Sequence, residues 1–185
     1  SSGKSVFVEK PLAINKSELD DLVEVANKSN GNVTVGFNRR FSPHSIKVKS
    51  ILGENPAPMT IITTMNAGSI PLDSWVQDLN VGGGRIVGEA CHLIDLISFL
   101  CDSLVESVSM NAQGLNPSNN TDNGSIHLKY KNGSLGIINY LSEGHKSYPK
   151  ERVEVFYQGK NFIIDNFRTT YAYGHGSPFK FSNKI

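Results

Sequence analysis

Three short stretches of this sequence hold residue types able to handle a proton, a charge or a hydroxyl group. The first is Glu9-Lys10-Pro11, which closes the apolar run Val6-Phe7-Val8. A lysine beside a reacting hydroxyl can share or take its proton, the more so where desolvation lowers its pKa. Pro11 biases Lys10 toward an extended backbone. The second is Asn38-Arg39-Arg40, whose amide and guanidinium groups suit a polyhydroxylated or anionic ligand. The third contains Gly88, Glu89, His92 and Asp95. At about 100° per residue of regular helix, Gly88, His92 and Asp95 share one stripe, with Glu89 displaced by about 100°. Buried ionisable groups are costly unless paired, so that stripe should face a cavity or a polar partner. Trp75 sits in a loop before Gln77 and Asp78, where it can stack on a sugar or cofactor face. Gly82-Gly83-Gly84 precedes the His92 helix; it can cradle a phosphate or simply permit close packing.

Each feature has a plainer counterpart. His92 can be a core histidine hydrogen-bonded to Asp95 one turn away. Lys10 can be a solvated strand-end lysine, Arg39 and Arg40 can belong to an exposed linker turn, and a single tryptophan is often core.

The elements that must position these groups follow from the apolar spacing. Val6-Phe7-Val8 reads as a strand. Asn15 stands as an N-cap with Glu18 as capping-box partner, Leu19, Leu22, Val23 and Ala26 follow at helical spacing, and Asn30-Gly31 closes the helix. Val33 to Phe37 is a second strand, so residues 1–40 form a parallel βαβ unit. Lys10 and Asn38-Arg39-Arg40 then lie at strand carboxyl ends, where open α/β sheets place their ligands. Two parallel strands alone make a poor sheet, and further strands are expected beside them.

A short helix from Pro43 to Leu52, a strand near Met59 to Met65 and a long buried helix from Arg85 to Leu100 come next. Candidate strands then run from Val105 to Gln113, Gly124 to Tyr130, Ser134 to Leu141, Arg152 to Tyr157 and Asn161 to Asp165. Asn132-Gly133 carries the type I′ hairpin signature, Gln158-Gly159-Lys160 is a second turn, and Asn116 to Asn123 is a polar surface loop. The expected class is α+β: a mainly antiparallel open sheet backed by helices, preceded by the βαβ unit.

Composition narrows the partners. Of 185 residues, 38% are hydrophobic and 19% charged, and the formal net charge is +1, which suits a folded domain and gives no electrostatic case for nucleic acid or an anionic membrane. No apolar run approaches the roughly 20 residues needed to span a bilayer. Cys91 and Cys101 lie ten residues apart in one predicted helix, about 15 Å, out of disulfide reach. Reduced cysteines and an N-terminus that opens straight into a strand, without a signal peptide, point to the cytoplasm. No metal-ligand spacing is present.

In combination these stretches resemble the glucose–fructose oxidoreductase/inositol dehydrogenase/MocA (Gfo/Idh/MocA) family. Gly3 to Ala13 is similar to its Glu-Lys-Pro segment at the nicotinamide side of a Rossmann domain. Gly36 to Phe41, followed by Pro43, resembles the return strand and entry to the second domain. Gly82-Gly83-Gly84 through His92 and Asp95 resembles the glycine-rich helix of the catalytic histidine. The resemblance implies a nicotinamide-dependent oxidoreductase, with hydride passing between NAD or NADP and a sugar, sugar-nucleotide or polyol hydroxyl. Lys10 and His92 would be catalytic. Glu9, Lys10, Pro11 and Arg39 would touch cofactor, and Asn38, Arg40, Trp75, Glu89 and His92 would touch substrate. It further implies a Rossmann remnant over 1–40, and a substrate-binding and assembly domain over 41–185, truncated at its C-terminus, whose sheet makes a homo-oligomer.

Two departures stand out. The family's usual aspartate four residues before the histidine is replaced by Gly88, with Glu89 adjacent. No Gly-X-Gly-X-X-Gly fingerprint occurs, so the cofactor site is expected to lie mostly outside this chain, and the chain alone to be inactive. A nicotinamide-using glycosidase and a non-catalytic assembly module are the alternatives.

Overall fold

The computed structural model describes residues 3–117, 121–175 and 179–182. Strands β1 (Val6–Val8) and β2 (Val33–Val35) pair in parallel with Val6 opposite Val33, joined through α1 (Lys16–Asn27). Asn15 caps α1, its Oδ1 accepting from Glu18 N at 2.9 Å. Glu18 returns its carboxylate to Ile14 N (3.2 Å) rather than to Asn15 N, so the box closes one residue early. The helix also ends earlier than the Asn30-Gly31 signal suggests, at Asn27 with Lys28 as C-cap. Gly31 instead permits close backbone approach, since a Cβ there would stand 2.1 Å from Lys4 O. No residue of α1 is buried, and Val6, Leu22, Val23 and Val33 are exposed around an apolar groove.

The rest of the chain is organised by one eight-stranded sheet. Its strands are β3 (Thr60–Asn66), β4 (Val105–Ala112), β5 (Gly124–Tyr130), β6 (Leu135–Leu141), β7 (Glu151–Tyr157), β8 (Lys160–Asp165), β9 (Thr169–Tyr173) and β10 (Phe179–Ser182). The spatial order is β10-β9-β8-β7-β3-β6-β5-β4; β3 and β6 run parallel, and every other neighbour pair is antiparallel. The class is α+β, as the pattern of elements predicts. Side-chain alternation gives the sheet one buried face. One row across it reads Leu128, Gly136, Ile61, Val155, Phe162 and Ala172, by cross-strand register. All six of these residues are buried.

Helices α2 (Pro43–Leu52) and α3 (Cys91–Cys101) pack on that face. Ser42 caps α2, with Pro43 in its first turn. Leu93, Leu96, Ile97 and Leu100 of α3 are inaccessible. Burying four such side chains stabilises by about 1.5–3 kcal/mol each before entropy is counted. The predicted uninterrupted helix from Arg85 is not regular: Ile86–Ala90 wind as a π-helical turn before α3 begins.

Turn chemistry departs from expectation in three places. At Asn132-Gly133 only Gly133 has positive φ, and Gly133 N bonds Tyr130 O at 2.8 Å, so this is not a type I′ turn. Gln158 and Gly159 are both at positive φ, so the type I′ geometry lies there. Asn166 and Phe167, also at positive φ, turn the chain into β9. No glycine marks that hairpin, and β9 and β10 extend the sheet beyond the last strand predicted, which ends at Asp165. The expected loop 116–123 lies partly outside the described residues. Cys91 and Cys101 are free thiols. No described helix is long and apolar enough to cross a membrane.

Candidate active site

A cleft of about 530 Å³ opens where the carboxyl ends of β1 and β2 meet the start of α3. Its lining includes Glu9 and Lys10 after β1, Phe37, Asn38 and Arg39 after β2, and Glu89 and His92 from the π turn and α3. Elements more than fifty residues apart thus bring six of the sequence-predicted site residues together. Pro11, Arg40 and Trp75 are not among the lining residues.

His92 is 5% exposed. Its ring meets Phe37 edge-on with centroids 6.2 Å apart, and its Nδ1 is buried without a hydrogen-bond partner among the described residues. Burial, then the positive charges of Arg39, Lys10 and Lys150, push its pKa down to about 4. The imidazole is therefore neutral at pH 7, with a ring nitrogen available to accept a hydrogen bond. Asp95 is not its partner: Arg40 takes both Asp95 carboxylate oxygens, through Nε at 2.8 Å and through Nη2.

Lys10 Nζ donates to Gly88 O at 2.7 Å. In an α-helix that carbonyl would be committed to the residue four positions on, whereas a π turn breaks this pattern. The same turn alters the regular-helix expectation for Glu89, which lines the cleft beside His92. Its carboxylate accepts from Arg85 Nε at 3.2 Å. Arg85, 2% exposed, also donates to Gly68 O (2.5 Å) and Ala67 O (3.3 Å), and stacks over the Tyr140 ring. Glu89 is thus anchored by a buried cation that is itself fixed on several sides.

The two arginines after β2 are structurally committed. Arg39 reaches buried Glu151 at the start of β7 with two bonds, 3.2 and 2.7 Å, and Asn38 Oδ1 with a third, 2.9 Å. Its guanidinium borders the cleft while tying it to the sheet. Trp75 lies 68% exposed in a short 3₁₀ turn. A Cβ on Gly82 would stand 2.5 Å from Val76 Cα, so the glycine run serves the packing of that turn. Lys150, just before β7, also lines the cleft. Nothing in its local sequence marks it, because its role depends on strand order. The described residues hold no cluster of three or more metal-ligating side chains.

The cleft thus joins the parallel β1–β2 unit, which carries Lys10, to α3, which carries His92, beside an open and mainly antiparallel sheet. Residues 57–160 match the family model of the GFO/IDH/MocA C-terminal domain, and the chain belongs to this family. It is 29% identical over 175 residues to myo-inositol 2-dehydrogenase of Thermotoga maritima, covering 90% of this chain and 51% of that protein. An NAD-binding oxidoreductase from Klebsiella pneumoniae has the same fold, with a TM-score of 0.80 at 21% identity over 97% of this chain and 54% of that one. So has a levoglucosan dehydrogenase solved with NADH and levoglucosan, at 0.78 and 18% over 98% and 55%. The chain spans about half the length of the curated relatives it matches.

Proposed function

We propose that this chain forms the substrate-facing part of a nicotinamide-dependent oxidoreductase that oxidises a hydroxyl of a sugar, sugar nucleotide or polyol. The observation that carries this reading is a neutral, buried His92 with an unpartnered Nδ1, sharing one cleft with Lys10. A buried polar atom left without a partner asks for one from a ligand. The substrates named for the inositol and levoglucosan dehydrogenases agree with a polyhydroxylated ligand.

In this mechanism His92 takes the hydroxyl proton as the carbinol C–H bond breaks and the carbonyl forms. Bound NAD or NADP would supply the hydride acceptor. Lys10, steadied by Gly88 O, places its ammonium where negative charge grows on the substrate oxygen. Glu89, held by Arg85, accepts a hydrogen bond from a neighbouring hydroxyl. Glu9 and Lys10, with Pro11 beside them, are the residues that would meet the nicotinamide. Residues 1–40 would belong to the nucleotide-binding half of the protein, and 41–185 to a substrate and assembly domain. The helix-free face of the sheet, with Leu135, Phe156 and Tyr173 exposed, would contact a second copy.

The test is nicotinamide reduction by the full-length protein on a polyol panel. His92→Asn and Lys10→Met should each lower kcat by about 10²-fold or more. Full turnover in His92→Asn would refute the assignment, and glycoside cleavage without net nicotinamide turnover would replace it with the glycosidase reading. Calorimetry should find tight NADH or NADPH binding to the full-length protein and weak binding to residues 1–185 alone.

A further inference from the structure

A second cavity of about 510 Å³ adjoins the active-site cleft, and Lys150 lines both. Lys146, Lys150 and Arg168 bring three cations to its wall, and no aspartate or glutamate lines it. Among the described residues, none of these three side chains makes an ion pair or a hydrogen bond. By contrast, Arg39, Arg40 and Arg85 are all matched to carboxylates. Asn166 accepts from Glu151 N (3.4 Å) through its Oδ1, which leaves its amide N–H groups to donate. Tyr148 adds a ring to the same wall. Like charges gathered without counter-charge repel one another, and an anion that neutralises them relieves this repulsion.

We infer that this cavity is a subsite for an anionic group on the substrate, so that the natural substrate is a sugar or polyol carrying a carboxylate or phosphate. The inference rests on the proposed activity for its other end: the reacting hydroxyl sits at His92 and Lys10, the anion at Lys146 and Arg168, with Lys150 between. Lys150 already acts on the reaction centre electrostatically, as one cause of the depressed His92 pKa. All three cations stand at the surface, so each contact is partly screened by solvent and salt.

The experiment compares matched substrates in the full-length protein with NAD and NADP: glucose against glucuronate, and glucose against glucose 6-phosphate. The anionic member should have the higher kcat/KM, and added salt should narrow the gap. The double variant K146Q/R168Q should raise KM for the anionic substrate about tenfold, roughly three- to fivefold per exposed cation, leaving kcat/KM for glucose unchanged. Preference for glucuronate assigns the site to carboxylates, and preference for glucose 6-phosphate to phosphates. Equal kcat/KM for charged and neutral members, unaffected by the double variant, overturns the subsite while leaving the oxidoreductase reading intact. If none of the three compounds is oxidised, the oxidoreductase reading rests on the polyol panel and the subsite is judged by binding. NMR titration with glucuronate and inorganic phosphate should then perturb Lys146 and Arg168 resonances, and no perturbation overturns it.

Discussion

The depressed pKa of His92 makes acid stability a direct test of its surroundings. An ordinary histidine titrates at 6.5, and in the folded protein this ring titrates at about 4. Between those values the unfolded chain carries a proton on the ring that the folded protein does not, so stability falls as pH drops through this window. At about 1.4 kcal/mol per pH unit, the loss approaches about 3 kcal/mol by pH 4 and vanishes above about pH 7. His44 contributes in the same direction, because burial also lowers its pKa; its effect is common to wild type and a His92→Asn variant. Urea unfolding at pH 4.5 and 7.5, followed by far-UV circular dichroism, isolates the His92 share as the difference between their pH dependences. Trp75 emission is the poorer probe, since that side chain is 68% exposed. The variant should lose about 2–3 kcal/mol less than wild type between the two pH values. Equal losses, or an NMR midpoint near 6.5 for the His92 ring, would refute the claim that burial and three nearby cations keep it neutral.

Other substitutions separate structural from chemical roles. Arg40→Ala strands the nearly buried Asp95 carboxylate and should cost about 2 kcal/mol in urea unfolding, discounted from a fully buried pair because Arg40 is a third exposed. It should leave the substrate KM of the full-length protein unchanged. Gly88→Ala places a methyl group in ordinary van der Waals contact with Gly82 O at 3.9 Å, without a clash, and should raise stability by about 0.5–1 kcal/mol. Glu89→Gln should lower turnover by about tenfold or more in the full-length protein; unchanged turnover would remove Glu89 from the mechanism.

Much of this arrangement was legible because local chemistry and tertiary demand agree. Asn15 caps α1 and Pro43 opens α2, and the apolar periodicity of Leu93, Leu96, Ile97 and Leu100 gives the buried helix its place. Regular-helix geometry sets Glu89 off the His92 stripe, because a single π turn leaves the same apolar spacing while turning the residues before Cys91 differently. The ion pairs of Arg39 and Arg40 carry no local signal, because their partners, Glu151 and Asp95, lie 112 and 55 residues away. Lys150 and the hairpin at Asn166-Phe167 lacked any nearby signal. The first depends on strand order, and the second achieves positive φ without glycine.

The position of β3 also governs how the chain must be assembled. It lies at the middle of the sheet, between a parallel neighbour at 135–141 and an antiparallel one at 151–157. Neither neighbour exists while the ribosome is still making α3, so during synthesis the Ile61-Ile62 segment has both hydrogen-bonding edges open. Such non-local pairing slows folding and exposes strand edges to other chains. Sheet closure must therefore await synthesis through β7, and a nascent chain halted before residue 135 should depend on a chaperone to stay monomeric.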